Sequence, residues 1–554
     1  MTIPSNGLHH VTLITRRIQA NVDFYVGFLG LRLVKRTAGF EDAAQLHLFY
    51  GDRTGRPGSL ITFLAWEDGG QGRVGRGAPS EIALAIAPEA IGAWMTRALR
   101  FQIPFTGPES EFGEPVLRLK DPDGVIVKLT GTQALSDRNA PWSQPIDEED
   151  PVGALTPVAD ADAVQGLRAA TLLTERPEET AAFFNRHFGL VELAREGSVR
   201  RLAFPRGDAI DIRDAAGFWE AAPGTGTIDH IALRAADNRA VAALRLALAA
   251  EEAGPTPVHD RRYFTSLYVR EPGGSLVEFA TDAPGMTVDE PEATLGTRLF
   301  VPGHEDRIPP LETTVALPQF ALPGEPRRIA RDLPFIHRLQ APEEEDGTTL
   351  FLLHGSGANE LSLLPLGRKA APGALLIALR GRALEEGSPR FYRRITPFRF
   401  DQADVRAEAD AFAAFITDSV AAYGVDLDHA AFLGYSNGAN MIAATLFLHP
   451  GLIRRAVLLR AMNPLEEPPA ADLAGTSVLM LSGSDDAYAA HAPALEEALR
   501  ASGAEVEARR IAAGHLLTEE DTRQAGLWLA GKSPRIGSES ESRFSEDVGA
   551  KTIG

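Results

Sequence analysis

The stretch from Leu8 to Thr15, "LHHVTLIT", puts the apolar residues Val11 and Leu13 at alternate positions, and the residues after it switch to helical spacing with the paired aromatics Phe24 and Tyr25. Alternation predicts a strand with one buried face, and the longer period predicts an amphipathic helix lying on it. The same succession returns in "LRAATLLTERPEETAAFFNRHFGLVEL" from Leu167, with Phe183 and Phe184 in the aromatic positions and "HFGL" where the first copy has "FLGL". A second pair of echoes joins "SEIALAI" from Ser80 to "DHIALRA" from Asp229. Each of these later reaches a turn, Asp121–Gly124 or Glu271–Gly274, that launches another alternating strand. Four βαβββ units are therefore expected, over about 7–66, 79–131, 166–214 and 227–283.

Beyond about Leu311 the pattern changes. "TTLFLLHGSG", "ALLIALRG", "AAFLGYSNG", "RAVLLRAM" and "SVLMLSGSDD" are short continuous apolar runs separated by helix-like stretches. Apolar strands alternating with helices predict a parallel sheet covered on both faces. The acidic, Pro-rich "DRNAPWSQPIDEEDPVGALTPVADAD" reads as a linker, and the polar "PRIGSESESRFSEDVGAKTIG" reads as a disordered tail.

Composition narrows the chemistry. A net charge of −20 over 554 residues argues against a nucleic-acid partner. The absence of cysteine excludes disulfides, thiolate metal sites and a cysteine nucleophile. No apolar run approaches the ~18 residues of a membrane span, and "MTIPSNGLHH" lacks the basic and apolar regions of a signal peptide. A cytoplasmic enzyme acting on small molecules is the expectation.

The adjacent pair His9 and His10 points, by strand alternation, to opposite faces. Aligning the four opening strands on one another places His10, Glu81, Ala169 and His230 at equivalent positions. The last strands contribute Thr62, Lys128, Asp211 and Glu278. Pairing the first unit with the fourth collects His10, His230 and Glu278, leaving Thr62 in the fourth place. Two imidazoles and one carboxylate are the facial triad of non-haem Fe(II) oxygenases, with open positions left for substrate and O₂. The other two units hold Ala169, Asp211, Glu81 and Lys128, whose charges pair with each other rather than with a metal. His47 and His187 lack repeat support and read as structural.

Over about 300 residues the chain resembles the vicinal oxygen chelate (glyoxalase-fold) superfamily, and within it the ring-cleaving dioxygenases of hydroquinones. "LHHVTLIT", "DFYVGFLGLRLVKRT", "DRRYFTSLYVREPGGSLVEFATDAPG" and "LGTRLFVP" carry the likeness. The resemblance implies iron ligands at His10, His230 and Glu278, and substrate or supporting roles for His9, Arg261 and Tyr268.

In the second region, Gly434-Tyr435-Ser436-Asn437-Gly438 lies between an apolar strand and a helix-like "GANMIAATLFLH". That context is the nucleophile elbow of an α/β hydrolase. Asp485 and Asp486 end a later strand, and "RRIAAGHLLTEED" supplies His515, giving the order Ser, Asp, His. Spacing favours Asp486 over Asp485 as the acid that orients His515. The backbone N–H groups of Asn437 and of Ser356 in "HGSG" would form the oxyanion hole, with His354 structural. This segment resembles bacterial carboxylesterases and phospholipase-like hydrolases.

The expected architecture is multidomain. Two α+β halves of vicinal-oxygen-chelate type, at 1–133 and 166–300, are joined by a linker at 134–165. An interdomain linker at 301–332, an α/β-hydrolase domain at 333–533 and the tail at 534–554 follow. The expected activity is an Fe(II)-dependent dioxygenase acting on an aromatic diol and O₂, fused to a serine hydrolase taking an ester or the ring-cleavage product. Mn(II) in place of Fe(II), and association into a homo-oligomer, stay open. The competing readings are a metal-dependent isomerase or lyase, or a non-catalytic binding module of the same fold, fused to an esterase or thioesterase.

Overall fold

The computed structural model describes residues 2–135, 158–304, 309–325, 327 and 333–532. Most of the expected linker at 134–165 and the whole tail at 534–554 lie outside the described residues. The chain divides into two units, Met1–Arg327 and Arg328–Gly554.

In the first unit the order strand, helix, three strands starts at Leu8, Ala78, Gly166 and Ile228, where the repeats place it. Two large sheets result. The nine-stranded sheet is centred on Leu8–Thr15, which runs antiparallel to Ile228–Ala235. Each of these pairs in parallel with the last strand of its own repeat, Leu60–Ala65 or Leu276–Pro284. The eight-stranded sheet joins the second and third repeats through Ala78–Ile86 and Gly166–Thr174. Neither sheet is thus built from one sequence half: each takes one repeat from 1–133 and one from 166–300.

One face of the strands packs on the helices in a continuous core that includes Val11, Leu13, Tyr25, Phe28, Ile231, Leu233 and Phe279. Fully burying a side chain of this size contributes ~1.5–3 kcal/mol, so the apolar phase of each strand fixes which face turns inward. The opposite face of the nine-stranded sheet carries a smaller apolar cluster with Val34, Phe49, Leu60, Phe264 and Ala280.

The expected interdomain linker at 301–332 is largely part of this unit. Leu299–Phe300 adds an edge strand beside Arg36 and Thr37. Val315 and Leu317 are buried. Ala321 and Gln19 exchange two hydrogen bonds of 2.8 Å, and Arg327 forks onto Asp23 at 2.7 and 2.9 Å. Apolar residues spaced among prolines gave this segment no periodicity to announce its docking.

The second unit is a seven-stranded sheet in the order His337–Gln340, Leu375–Leu379, Thr349–Leu353, Ala430–Tyr435, Arg455–Leu459, Ser477–Gly483, Glu505–Ile511. Only the first of these strands is antiparallel to its neighbour. Every apolar run singled out in the sequence is one of its strands. From Thr349–Leu353 the chain first adds Leu375–Leu379 on one side and then returns to add Ala430–Tyr435 on the other. Ligands of open parallel sheets bind at such a switch point, beyond the carboxyl ends of the strands. The segments "HGSG" and "SNG" both begin there. Two short hairpins, Ala383–Arg390 and Arg394–Phe400, are inserted before the helix Gln402–Tyr423. Among the described residues no helix is long and apolar enough to cross a membrane.

Candidate functional site

His10, His230 and Glu278 come from three neighbouring strands of the nine-stranded sheet. Register places His10, Ala232 and Glu278 in one row and Thr12 beside His230 in the next. Residues paired in register share a face, and the single methyl of Ala232 leaves room between its two longer neighbours. His10 Nε2 and His230 Nε2 lie 2.9 and 3.1 Å from the same oxygen, Oε2 of Glu278, and 3.4 Å from each other. All three residues are buried.

These distances suit a metal ion. Ligands in adjacent positions at bonds of ~2.1 Å stand ~3 Å apart. Neither carboxylate oxygen of the buried Glu278 receives a well-aligned hydrogen bond among the described residues. A buried carboxylate is costly unless a positive charge faces it, and a cation held between Glu278 and the two imidazole nitrogens would supply that charge. Burial opposes charge on His230, but Asp229 and Glu278 outweigh it and raise the imidazole to about 9. The pocket favours a positive charge at this spot, which a divalent ion supplies in place of the proton.

The tautomers follow from the neighbours. His9 Nε2 is 3.1 Å from the carbonyl oxygen of Thr281, which can only accept, so the proton sits on Nε2. Burial, then the His10 ring, lower His9 to about 3, which keeps it neutral and leaves its Nδ1 an acceptor. His10 Nδ1, 2.9 Å away, therefore donates, and the His10 Nε2 lone pair faces Glu278 and His230. His230 Nδ1 is held in the same way by Asp229 Oδ2 at 2.7 Å. Such partners orient metal-binding imidazoles.

His9 departs from the alternation expected of it. The register slips between Leu8 and His10, so two residues of this strand face one of its partner, and the two rings stand 5.0 Å apart at the same site. A bulge re-aims a side chain in this way. Arg261 lies over the rings of Phe40 and Tyr268, at 5.5 and 5.8 Å from their centroids. Tyr268 is edge-on to His230 at 5.3 Å and in register with Glu278. Burial, then the Glu278 charge, push its phenol well above the usual range, so it keeps its proton.

His47, read from the sequence as structural, also belongs to this face. Its Nε2 is 3.1 Å from Thr62 Oγ1, which is 2.8 Å from Thr12 Oγ1, itself 2.9 Å from His230 Nε2. His47 shares its strand phase with Phe49, which pairs with Thr62. That phase was the available signal. His187 packs on Phe183 and Phe188, away from the three converging side chains.

The serine site is built at the switch point. Ser436 has φ +50° and ψ −109°, a strained elbow between strand and helix. A Cβ on Gly434 would stand 2.6 Å from Ala439 N, and one on Gly438 would stand 2.1 Å from Leu353 O. Only glycine fits either place. His515 Nε2 is 3.1 Å from Ser436 Oγ, and its Nδ1 is 3.0 Å from Asp486 Oδ2. Asp485 is exposed and its carboxylate meets Ser484 at 3.3 Å, so the fold brings Asp486 and not Asp485 to the histidine.

Asn437 is the first residue of the helix Asn437–Leu448, where backbone N–H groups lack intrahelical acceptors. Ser356 follows the neighbouring strand and is exposed. His354 closes its own turn, with Nδ1 2.6 Å from Gly355 O and Nε2 accepting from Gly381 N at 3.0 Å. Sequence reading missed Arg460. Its buried guanidinium forks onto Asp521 at 2.7 and 3.0 Å and donates to the carbonyls of Gly514 and Leu516 on either side of His515. No motif marks such a brace.

Residues 7–129 match the Glyoxalase/Bleomycin resistance protein/Dioxygenase superfamily. The protein named "Putative ring-cleaving dioxygenase MhqO" of Bacillus subtilis is 37% identical over 298 residues, covering 53% of this chain and 91% of that protein. The chain belongs to the glyoxalase-fold family of ring-cleaving dioxygenases. A second relative in this family, the chlorohydroquinone/hydroquinone 1,2-dioxygenase of Sphingobium indicum, is 32% identical over 53% of this chain and 91% of its own length. The C-terminal region is similar to a carboxylesterase from Mesorhizobium loti, with 47% identity, 36% of this chain and 97% of that one covered, and a TM-score of 0.36.

Within this glyoxalase-fold pair of sheets, the second sheet carries ions where the first gathers imidazoles. Lys128 lies 3.1 Å from Glu81 and 2.9 Å from Glu111. Asp211 is forked by Arg201 at 2.8 Å, and Arg201 also reaches Glu114 at 3.0 Å. The charges pair as expected, although Asp211 takes Arg201 rather than Lys128.

Proposed function

We propose that the protein is bifunctional: an Fe(II)-dependent extradiol-type dioxygenase acting on hydroquinone-like diols, fused to a serine carboxylesterase. The two large sheets are read as four vicinal-oxygen-chelate units and the seven-stranded sheet as an α/β-hydrolase core. The observation that carries the first activity is the convergence on one buried carboxylate oxygen of two imidazoles, each held through its Nδ1 by a neighbouring side chain. Thr62, in the fourth place, is occupied by hydrogen bonds to Thr12 and His47, which leaves an isomerase of this fold one ligand short. His10, His230 and Glu278 would hold the iron, which supplies electrons to O₂ and a Lewis-acid site for a phenolate oxygen. Mn(II) fits the same donors.

The chain's own side chains prepare the substrate. Phe264, 5.2 and 5.3 Å from the His9 and His10 rings, offers an apolar wall to an aromatic ring. Arg261 sets a positive charge where oxygen anions develop, and Tyr268 holds a proton ready to donate. The Thr12–Thr62–His47 hydroxyl chain can hold or pass a proton at the His230 side. In the second unit Ser436 attacks an ester carbonyl as His515 takes its proton, with Asp486 steadying the imidazole. Asn437 and Ser356 N–H groups receive the oxyanion, and His515 returns the proton to the leaving alcohol. The substrate of this unit is an ester upstream of ring cleavage or the ring-opened product itself.

The deciding experiment is oxygen uptake with hydroquinone, methylhydroquinone and catechol after anaerobic iron loading, alongside metal stoichiometry. Uptake that requires the para-diol and vanishes in His10→Ala, together with the bound metal, is expected. Stoichiometric metal without uptake on any diol refutes the dioxygenase reading.

A further inference from the structure

The segment 380–400 contains six arginines and two glutamates, a surplus of four positive charges in a chain whose net charge is −20. It forms the two hairpins inserted beside the serine site, and three contacts tie it to the catalytic groups. Pro389 O accepts from Gly357 N at 2.9 Å, in the loop that carries Ser356. Phe391 N donates to Asn437 Oδ1 at 2.7 Å, on the residue after the nucleophile. Phe398 packs on Tyr488 at 5.4 Å, and Tyr488 packs on His515 at 4.9 Å.

Arg390 lies between the first two anchors, so its backbone is pinned to both sides of the oxyanion hole. The residue is 5% exposed. Its Nε reaches Glu385 Oε2 at 3.2 Å, a carboxylate shared with Arg394 at 2.8 Å. Among the described residues, no protein acceptor meets its two terminal nitrogens. One glutamate facing two guanidinium groups leaves a buried positive charge without its own anion, and a guanidinium with two free N–H edges is shaped for a carboxylate. Leu384, Ile395 and Phe398, in the same hairpins, expose apolar surface.

We propose that Arg390 makes the Ser436 site selective for esters that carry a carboxylate along with an apolar body. This rests on the serine-hydrolase reading and names its substrate class. Ring cleavage of an aromatic diol leaves an acid group on an unsaturated carbon chain, so an ester of such an acid with a second, free carboxylate falls in this class.

The test compares matched neutral and anionic esters on the full-length protein: 4-acetoxybenzoate against its methyl ester, and mono-4-nitrophenyl adipate against 4-nitrophenyl hexanoate. In at least one pair, kcat/KM should favour the carboxylate about ten- to a hundredfold, the range of one charge-assisted hydrogen bond. The preference should sit mainly in KM, shrink as salt is raised, collapse in Arg390→Gln and persist in part in Arg390→Lys. If Arg390→Gln does not fold, the salt dependence of the wild type and the Arg390→Lys ratio decide. Equal or reversed preference in both pairs, or a preference that Arg390→Gln retains, overturns the assignment alone. A protein that cleaves no ester, and whose Ser436 is not labelled by a fluorophosphonate, overturns the hydrolase reading and this inference with it.

Discussion

His9→Phe isolates the link between an outer histidine and the candidate metal centre. Phenylalanine keeps a ring against Phe264, 5.2 Å from His9, but removes both hydrogen bonds of the imidazole. In the wild type, the Thr281 carbonyl fixes the His9 proton on Nε2, and His9 Nδ1 then fixes the His10 proton on Nδ1. Without that acceptor His10 is free to carry its proton on Nε2, where the metal must bind. Restoring the binding tautomer leaves a buried N–H unpaired, at a cost of ~1–3 kcal/mol. That corresponds to about 10- to 100-fold in affinity, the range seen when partners of metal-binding imidazoles are removed. The assay is anaerobic competition for Fe(II), and for Mn(II), between the metal-free protein and a chromophoric chelator. An affinity within twofold of wild type in His9→Phe, with binding lost in His10→Ala, would show that His9 does not orient the ligand.

Three other perturbations separate the parts of the molecule. Ser436→Ala should lower ester hydrolysis by ~10⁴-fold or more while diol-dependent oxygen uptake continues, read by parallel colorimetric and electrode assays. Gly438→Ala drives a methyl into the Leu353 and His354 carbonyls, at 2.1 and 2.6 Å. It should destabilise the second unit by ~1–3 kcal/mol and abolish fluorophosphonate labelling of Ser436; undiminished labelling would contradict the close approach. Lys128→Met strands Glu81 in the second sheet, while Glu111 keeps Arg118, and should cost about 3–5 kcal/mol in denaturant unfolding. Metal stoichiometry should not change, and metal loss in this variant would mean that the ion network is more than structural.

Periodicity and internal repetition made much of the protein legible. The apolar phase of each opening strand singled out His10 and His230, and the last strand of the fourth repeat supplied Glu278, because a period of two assigns each residue to a face. The apolar runs of the second region located its strands, and motif order named Ser436 and His515. Other features have no local signature. The bulge at His9 is one extra residue that breaks the very alternation used to read the strand. The described residues of 299–327 dock through scattered contacts, and Arg460 reaches the backbone on either side of His515 through the carbonyls of Gly514 and Leu516. His47 joins the site only because its strand lies beside Thr62.

The chain alone therefore determines which residues can face inward and which chemistry they can offer, since side-chain phase is a property of neighbouring residues. Tertiary structure decides which repeats share a sheet, which aspartate meets His515 and which tautomers the histidines adopt. Those outcomes depend on contacts between residues far apart in sequence, such as Thr281 with His9 or Asp486 with His515, and their energies exist only once both partners are held in place by the fold.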